Sequence, residues 1–216
     1  MRYVLPTEQQ LNGLKKALDI KANRRIQKFL TEKVNPGEIV FAGDSIIENF
    51  RVDEYFDQTV INRGLGGYTT EDLLKVFDQI IVPLAPKKLF LHIGSNDLVL
   101  LNATIDQTIT NILNVLKYAK EKLPNTKIYY FSLTPVLPLT NKKTRALYVA
   151  NRTNEMIDYI NDQLRKQVEN FIDINPELKD GLGVLEEWYT DDGIHLNHYG
   201  YLEVVRDINK YLRDDL

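Results

Sequence analysis

Glu38-Ile39-Val40-Phe41-Ala42-Gly43-Asp44-Ser45 is the stretch on which the reading of this chain turns. A short β-forming apolar run that ends in small residues, an acid and a hydroxyl reads as a strand delivering its last residues to the rim of a sheet. Ligands of open α/β sheets bind at the carboxyl edge, where loops diverge from rigid strands. Ser45 there is a candidate nucleophile, provided the chain supplies a base and donors for an oxyanion. Asp and Ser are also common helix caps. Within this stretch alone, capping is the better supported reading.

The pattern repeats outward from it. Thr59-Val60-Ile61-Asn62-Arg63 reads as a second strand, running into Gly64-Leu65-Gly66-Gly67-Tyr68-Thr69-Thr70 and then an amphipathic helix. Lys88-Leu89-Phe90-Leu91-His92-Ile93 is nearly all apolar, as a strand buried on both faces should be, and ends in Gly94-Ser95-Asn96-Asp97. A helix over residues 105–122 is stopped by Pro124, Lys127 to Ser132 forms a fourth strand, residues 143–167 read as one long helix, and residues 170–174 as a fifth strand. Residues 49–57 and 175–197 read as irregular, and a last helix covers residues 199–212. Strands alternating with helices five times predict a parallel sheet with helices on both faces. Ahead of it, residues 7–31 carry Leu11, Leu14, Leu18, Ile26, Phe29 and Leu30 at helical spacing behind a Thr7 cap. This arm, ending at about residue 34, is expected to pack on the domain or on a second copy of the chain in a homodimer.

Composition narrows the function. The 216 residues, 44% hydrophobic, suit one α/β domain over residues 1–216. Lys and Arg number 27 against 30 Asp and Glu, a formal net charge of -3, which argues against nucleic acid as a partner. There is no cysteine, so disulfides, thiolate metal sites and a cysteine nucleophile are excluded, and a reducing compartment fits. No apolar run is long enough for a signal peptide or a membrane span, and a cytoplasmic location is the expectation.

The unusual polar residues fall at strand exits: Asp44-Ser45 after the first, Gly66-Gly67 after the second, Asn96-Asp97 after the third, and Asp192-Gly193-Ile194-His195 after the fifth. All gather on one sheet edge. A serine hydroxyl needs a base at neutral pH, and an imidazole, with an ordinary pKa near 6.5, is the fitting one. Asp192, three residues before His195, can reach the ring nitrogen that faces away from the serine, fixing its tautomer. The amide N–H of Ser45, the amide N–H of Gly67 and the side-chain amide of Asn96 are placed to hold the oxyanion of ester attack.

Gly43-Asp44-Ser45-Ile46, Asn62-Arg63-Gly64-Leu65-Gly66-Gly67, Gly94-Ser95-Asn96-Asp97 and Asp192-Gly193-Ile194-His195 resemble, in order and spacing, the four blocks of the SGNH (GDSL-like) hydrolases. The likeness is nearest to bacterial proteins similar to platelet-activating-factor acetylhydrolase subunits. It covers residues 39–195 and implies a flavodoxin-like three-layer α/β/α sandwich with a five-stranded parallel sheet. It also implies Ser45, Asp192 and His195 as the triad, Ser45, Gly67 and Asn96 as the oxyanion hole, and no cofactor. The expected activity is a serine esterase acting on short-chain, chiefly acetyl, esters of a small lipid or carbohydrate. Tyr68 departs from the Asp that many relatives carry there.

Other residues are assigned bland or secondary roles. Tyr68 and Trp188 are candidate substrate-pocket residues, Asp44 and Asp97 structural ones, and His92 a satisfied core histidine. His198 near His195 raises a metal pair, but with 3 His in all, no metal is expected. The alternatives are a metal-dependent phosphoesterase using Asp44, Asn96, Asp97 and His195, and a catalytically silent flavodoxin-like binding module.

Overall fold

The computed structural model describes residues 4–213. Five parallel strands run β1 (Ile39–Gly43), β2 (Val60–Gly64), β3 (Lys88–His92), β4 (Lys127–Phe131) and β5 (Phe171–Ile172), ordered β2-β1-β3-β4-β5 across the sheet. Because strand side chains alternate, Val40 and Ala42 of β1 and Leu89 and Leu91 of β3 face one core, while Ile39, Phe41 and Phe90 face another. The first core is completed by α1 (Glu8–Thr31), α4 (Thr70–Ile80), α6 (Ile105–Lys122) and α8 (Asn154–Gln167), and the second by α9 (His198–Leu212) with the short helices α2 (Ser45–Glu48) and α3 (Val52–Tyr55). Two short helices remain, α5 (Asp97–Leu100) and α7 (Ala146–Val149). The result is the three-layer α/β/α arrangement expected, and no helix among the described residues is long and apolar enough to cross a membrane.

The strand order reverses direction between β1 and β3, which places the crevice of a doubly wound sheet beyond their carboxyl ends. The two strands meet closely there. Gly43 sits at φ +145°, and a Cβ on it would stand 1.8 Å from the carbonyl oxygen of His92. Only glycine tolerates both the dihedral and the approach.

The N-terminal arm forms as the pattern predicts. Thr7 caps α1 in a reciprocal box with Gln10, and Ala22, Ile26 and Phe29 are buried on the domain.

Three local expectations are corrected. Residues 143–167 do not form one helix: α7 ends at Val149, before Ala150 with its φ of +52°, and α8 starts afresh behind Thr153, whose hydroxyl accepts from the amide of Met156 at 3.3 Å. The break turns Arg152 inward. The fifth strand is two residues rather than five, because the Oγ of Ser132 takes over as acceptor for the amide of Ile174 at 3.0 Å and ends the backbone ladder. Residues 49–57 include one helical turn, α3, which buries Val52.

Candidate active site

At the exit of β1 the two readings of Asp44-Ser45 separate. Asp44 is the cap: its Oδ1 accepts from the amide of Ile46 at 3.0 Å and lies 3.0 Å from Nδ1 of buried His92. That leaves the Ser45 hydroxyl at the start of α2 free to bond elsewhere. It lies 3.0 Å from Nε2 of His195, a residue 150 positions away in sequence.

Nδ1 of His195 in turn lies 2.7 Å from Oδ2 of Asp192. The other Asp192 oxygen accepts the amides of Ile194 at 3.1 Å and His195 at 2.9 Å, so one short loop fixes both oxygens. The loop is itself anchored, with the Leu137 amide donating to the Gly193 carbonyl and the Arg145 amide to the Asp192 carbonyl, both at 2.8 Å. Burial raises the pKa of Asp192, but the hydrogen bond and charge of His195 and the two amides outweigh it and bring the carboxyl down to about 2.

The expected oxyanion donors converge on the same place. The amides of Ser45 and Gly67 donate to no acceptor among the described residues. The preceding Gly66 amide is taken by Glu48, at 2.5 Å. Gly67 has φ +75°, and a Cβ there would meet the Leu18 side chain at 2.4 Å, so a side chain at this position is strained twice over. Asn96 donates one N–H to the Tyr68 carbonyl at 2.9 Å, and its carbonyl oxygen accepts from Arg152 at 2.7 Å.

Asp97, directly after Asn96, holds this exit down. Its carboxylate accepts from the amide and hydroxyl of Thr70, at 2.9 and 2.5 Å, and from Asn111 at 3.0 Å, tying β3's exit to α4 and α6. Burial pushes its pKa up, against the pull of those donors. Asp97→Ala leaves the donors unpaired in a dry site and is expected to cost about 3 kcal/mol of stability. Urea unfolding checks this, and a loss below about 1 kcal/mol would show the network to be idle.

A cleft of about 280 Å³ opens over Ser45, Gly67, Asn96 and His195. One wall was not anticipated: Leu14, Leu18 and Lys21 of α1 line it, so the arm builds the site as well as packing on the domain. Lys21 forms an ion pair with Glu48, the same carboxylate that holds the Gly66 amide. The opposite wall includes Tyr148, whose ring stands edge-on to His195 with centroids 5.6 Å apart. Of these, only the α1 leucines left a sequence signal, their helical spacing.

Two expected pocket residues stand elsewhere in this structure. The Tyr68 side chain is buried beside Lys15 rather than lining the cleft, and Trp188 is 64% exposed against Tyr199. Their backbones are engaged nearby: the Tyr68 carbonyl accepts from Asn96 at 2.9 Å and the Trp188 carbonyl from Asn197 at 2.9 Å. His198 pairs with the Tyr55 hydroxyl at 2.8 Å. No group of three or more His, Asp or Glu side chains among the described residues is arranged to hold a metal ion.

The sequence and the fold are matched in known proteins. A protein of Escherichia coli O18:K1:H7, N-acylneuraminate cytidylyltransferase, is 26% identical over 209 residues, which is 95% of this chain but 48% of that protein. The chain thus spans about half the length of the curated relative it matches. A solved structure from Streptococcus pneumonia, provisionally named a platelet activating factor, is 28% identical with TM-score 0.83, covering 96% of this chain and all of that one. A GDSL-like lipase of Bacteroides thetaiotaomicron shares the fold at TM-score 0.69 and 21% identity, covering 88% of this chain and 96% of its own. The sequence pattern of the GDSL-like lipase/acylhydrolase family matches residues 41–202, three quarters of the chain and every residue of the polar cluster, and the chain belongs to that family.

Proposed function

We propose that the chain hydrolyses short-chain carboxylic esters, chiefly acetyl esters of a small lipid or carbohydrate, through a Ser45-His195-Asp192 triad. The observation that supports this most is the pair of contacts at 3.0 and 2.7 Å running from Ser45 through His195 to Asp192 at the floor of an open cleft. His195 Nε2 takes the proton of Ser45 as Oγ attacks the acyl carbon. The carbonyl oxygen gains a negative charge, held by the amides of Ser45 and Gly67 and the side chain of Asn96. His195 then protonates the departing alcohol, leaving an acyl-serine. Water, deprotonated by His195, attacks this ester, and the acid leaves as Ser45 recovers its proton. Asp192 stays ionised throughout and steadies the imidazolium.

The cleft is small, which favours short acyl groups over long chains. The name of the Escherichia coli relative concerns an N-acylated sugar acid and that of the Streptococcus structure a lipid mediator, so acetylated sugars and lipid esters are the two classes to compare. A cytoplasmic location fits the absence of cysteine. The exposed face of α1, with Ile20 and Leu30, suits a second copy of the chain.

The test is a panel of p-nitrophenyl esters of rising chain length beside acetylated sugars and a lysophospholipid. The short esters should turn over, and a fluorophosphonate probe should label Ser45. No turnover and no label would leave the silent binding module. Turnover that a chelator abolishes would instead favour the phosphoesterase, although Asp44 and Asp97 are engaged by His92 and Thr70 and do not converge on His195.

Hydrolysis should rise from about pH 5 to about pH 8, because only a neutral imidazole can accept the serine proton. With its pKa near 2, Asp192 does not titrate in this window, so one ionisation should describe the limb. A rate flat across it would remove His195 as the base.

A further inference from the structure

We infer that Arg152 is a positioning residue for the oxyanion hole, holding the Asn96 amide in its donating orientation and placing a positive charge behind it. The inference rests on the esterase reading above. Arg152 comes from the bend between α7 and α8 and is 5% exposed. Its Nη2 donates to Asn96 Oδ1 at 2.7 Å, its Nε to the Ser95 carbonyl and hydroxyl at 3.0 and 2.8 Å, and its Nη1 to the carbonyls of Tyr148 and Val149 at 2.8 and 3.2 Å.

Two features of this set matter. The first is direction. A guanidinium can only donate, so the Asn96 oxygen must face it, and the amide nitrogen must then face the Tyr68 carbonyl and the cleft. The reversed amide would set nitrogen against nitrogen and oxygen against oxygen, and would turn an acceptor toward the developing oxyanion. Arg152 and the Tyr68 carbonyl therefore select the same orientation from opposite sides.

The second is charge. Every acceptor of Arg152 is neutral, and no carboxylate lies within ion-pair distance of it among the described residues. Buried cations ordinarily have such a partner, because desolvating an unpaired charge is costly. Burial lowers its pKa to about 10 against the longer-range attraction of the Asp44 carboxylate, which still leaves it charged at neutral pH. Its positive charge acts through the amide it polarises, and it is most useful when an oxyanion forms on the far side. Ground-state substrate carries no such charge, so the effect belongs to turnover rather than binding.

The experiment compares Arg152→Met, Arg152→Lys, Asn96→Ala and the double variant Asn96→Ala/Arg152→Met on p-nitrophenyl acetate, with fluorophosphonate labelling as a second readout. Asn96→Ala should lower kcat by about 10²-fold. Arg152→Met should lower it by about 10- to 10²-fold with KM within about twofold, and the double variant should be no worse than Asn96→Ala alone, since both act on one donor. Arg152→Lys keeps the charge but loses the fork, and should fall between Arg152→Met and the parent. Unchanged kcat in Arg152→Met, a loss confined to KM, or losses that multiply in the double variant would overturn the inference. Should Arg152→Met not fold, Arg152→Lys decides: a drop of about fivefold or more in kcat at constant KM supports it, and an unchanged kcat sinks it. A parent protein that neither turns over esters nor takes the label would remove the esterase reading itself. A parent that does both beside indifferent Arg152 variants would remove only this inference.

Discussion

Ser45→Ala is expected to cut ester turnover by about 10⁶-fold, to the level left by binding and the oxyanion donors. On the proposed mechanism, the substitution removes the atom that would form the acyl-enzyme and little else. Among the described residues, the Ser45 hydroxyl bonds to the side chain of His195 alone, while the capping of α2 is done by Asp44 and the core beneath by Ile46 and Ile47. The fold should therefore persist, with a thermal midpoint within a few degrees of the parent's. Its circular dichroism should match the parent's. The measurement is turnover of p-nitrophenyl acetate on protein purified in parallel, together with loss of fluorophosphonate labelling. Retained turnover at more than about a tenth of the parent's would show that another group attacks the ester.

Asp192→Asn carries the second large effect, about 10⁴-fold in kcat, and its argument is one of tautomers. The anchored oxygen of Asp192 receives two backbone amides, from Ile194 and His195, so the oxygen of an asparagine must remain there. Its NH₂ then points at Nδ1 of His195, which has to accept. The ring proton is driven to Nε2, where it faces Ser45 and cannot take the serine proton. KM should change little, since neither group binds the ester before attack.

The same substitution should report on stability with a defined sign. The Asp192 carboxyl has its pKa depressed in the folded chain from the ordinary 3.8 to about 2. Its contribution to stability is therefore complete above the ordinary carboxylate pKa and disappears as pH falls through about 2. Asp192→Asn should accordingly be less stable than the parent at pH about 7, and the gap should close toward pH about 2. A gap that is the same at both ends would mean that the loop is held by its backbone bonds alone.

Much of this was legible along the chain because the signals are local. The alternation of apolar runs with amphipathic segments marks four of the five strands to within a residue or so. The Thr7 cap marks the start of α1 and Pro124 the end of α6, since caps and breakers act within a few residues. Asp192 and His195 lie on one turn, so their contact could be anticipated from spacing alone.

What failed to show has the opposite character. The bend at Ala150 answers to Arg152 reaching residues 56 and 57 positions back in sequence, which no local propensity records. Tyr68 and Trp188 are aromatic residues beside site loops, and aromatic character says nothing about which way a side chain turns. The wall built by Leu14, Leu18 and Lys21 depends on where the arm docks on the finished sheet.

By itself, then, the sequence determined the order of strands and helices, the residue types needed for acyl transfer, and the family that shares them, because period, capping and motif are properties of neighbouring residues. Only the tertiary structure decided that Ser45 and His195 meet, that Asn96 is clamped from behind by a buried guanidinium, and that α1 closes one side of the cleft. Those are contacts between distant segments, and their positions exist only once the sheet has brought its strand exits to a single edge.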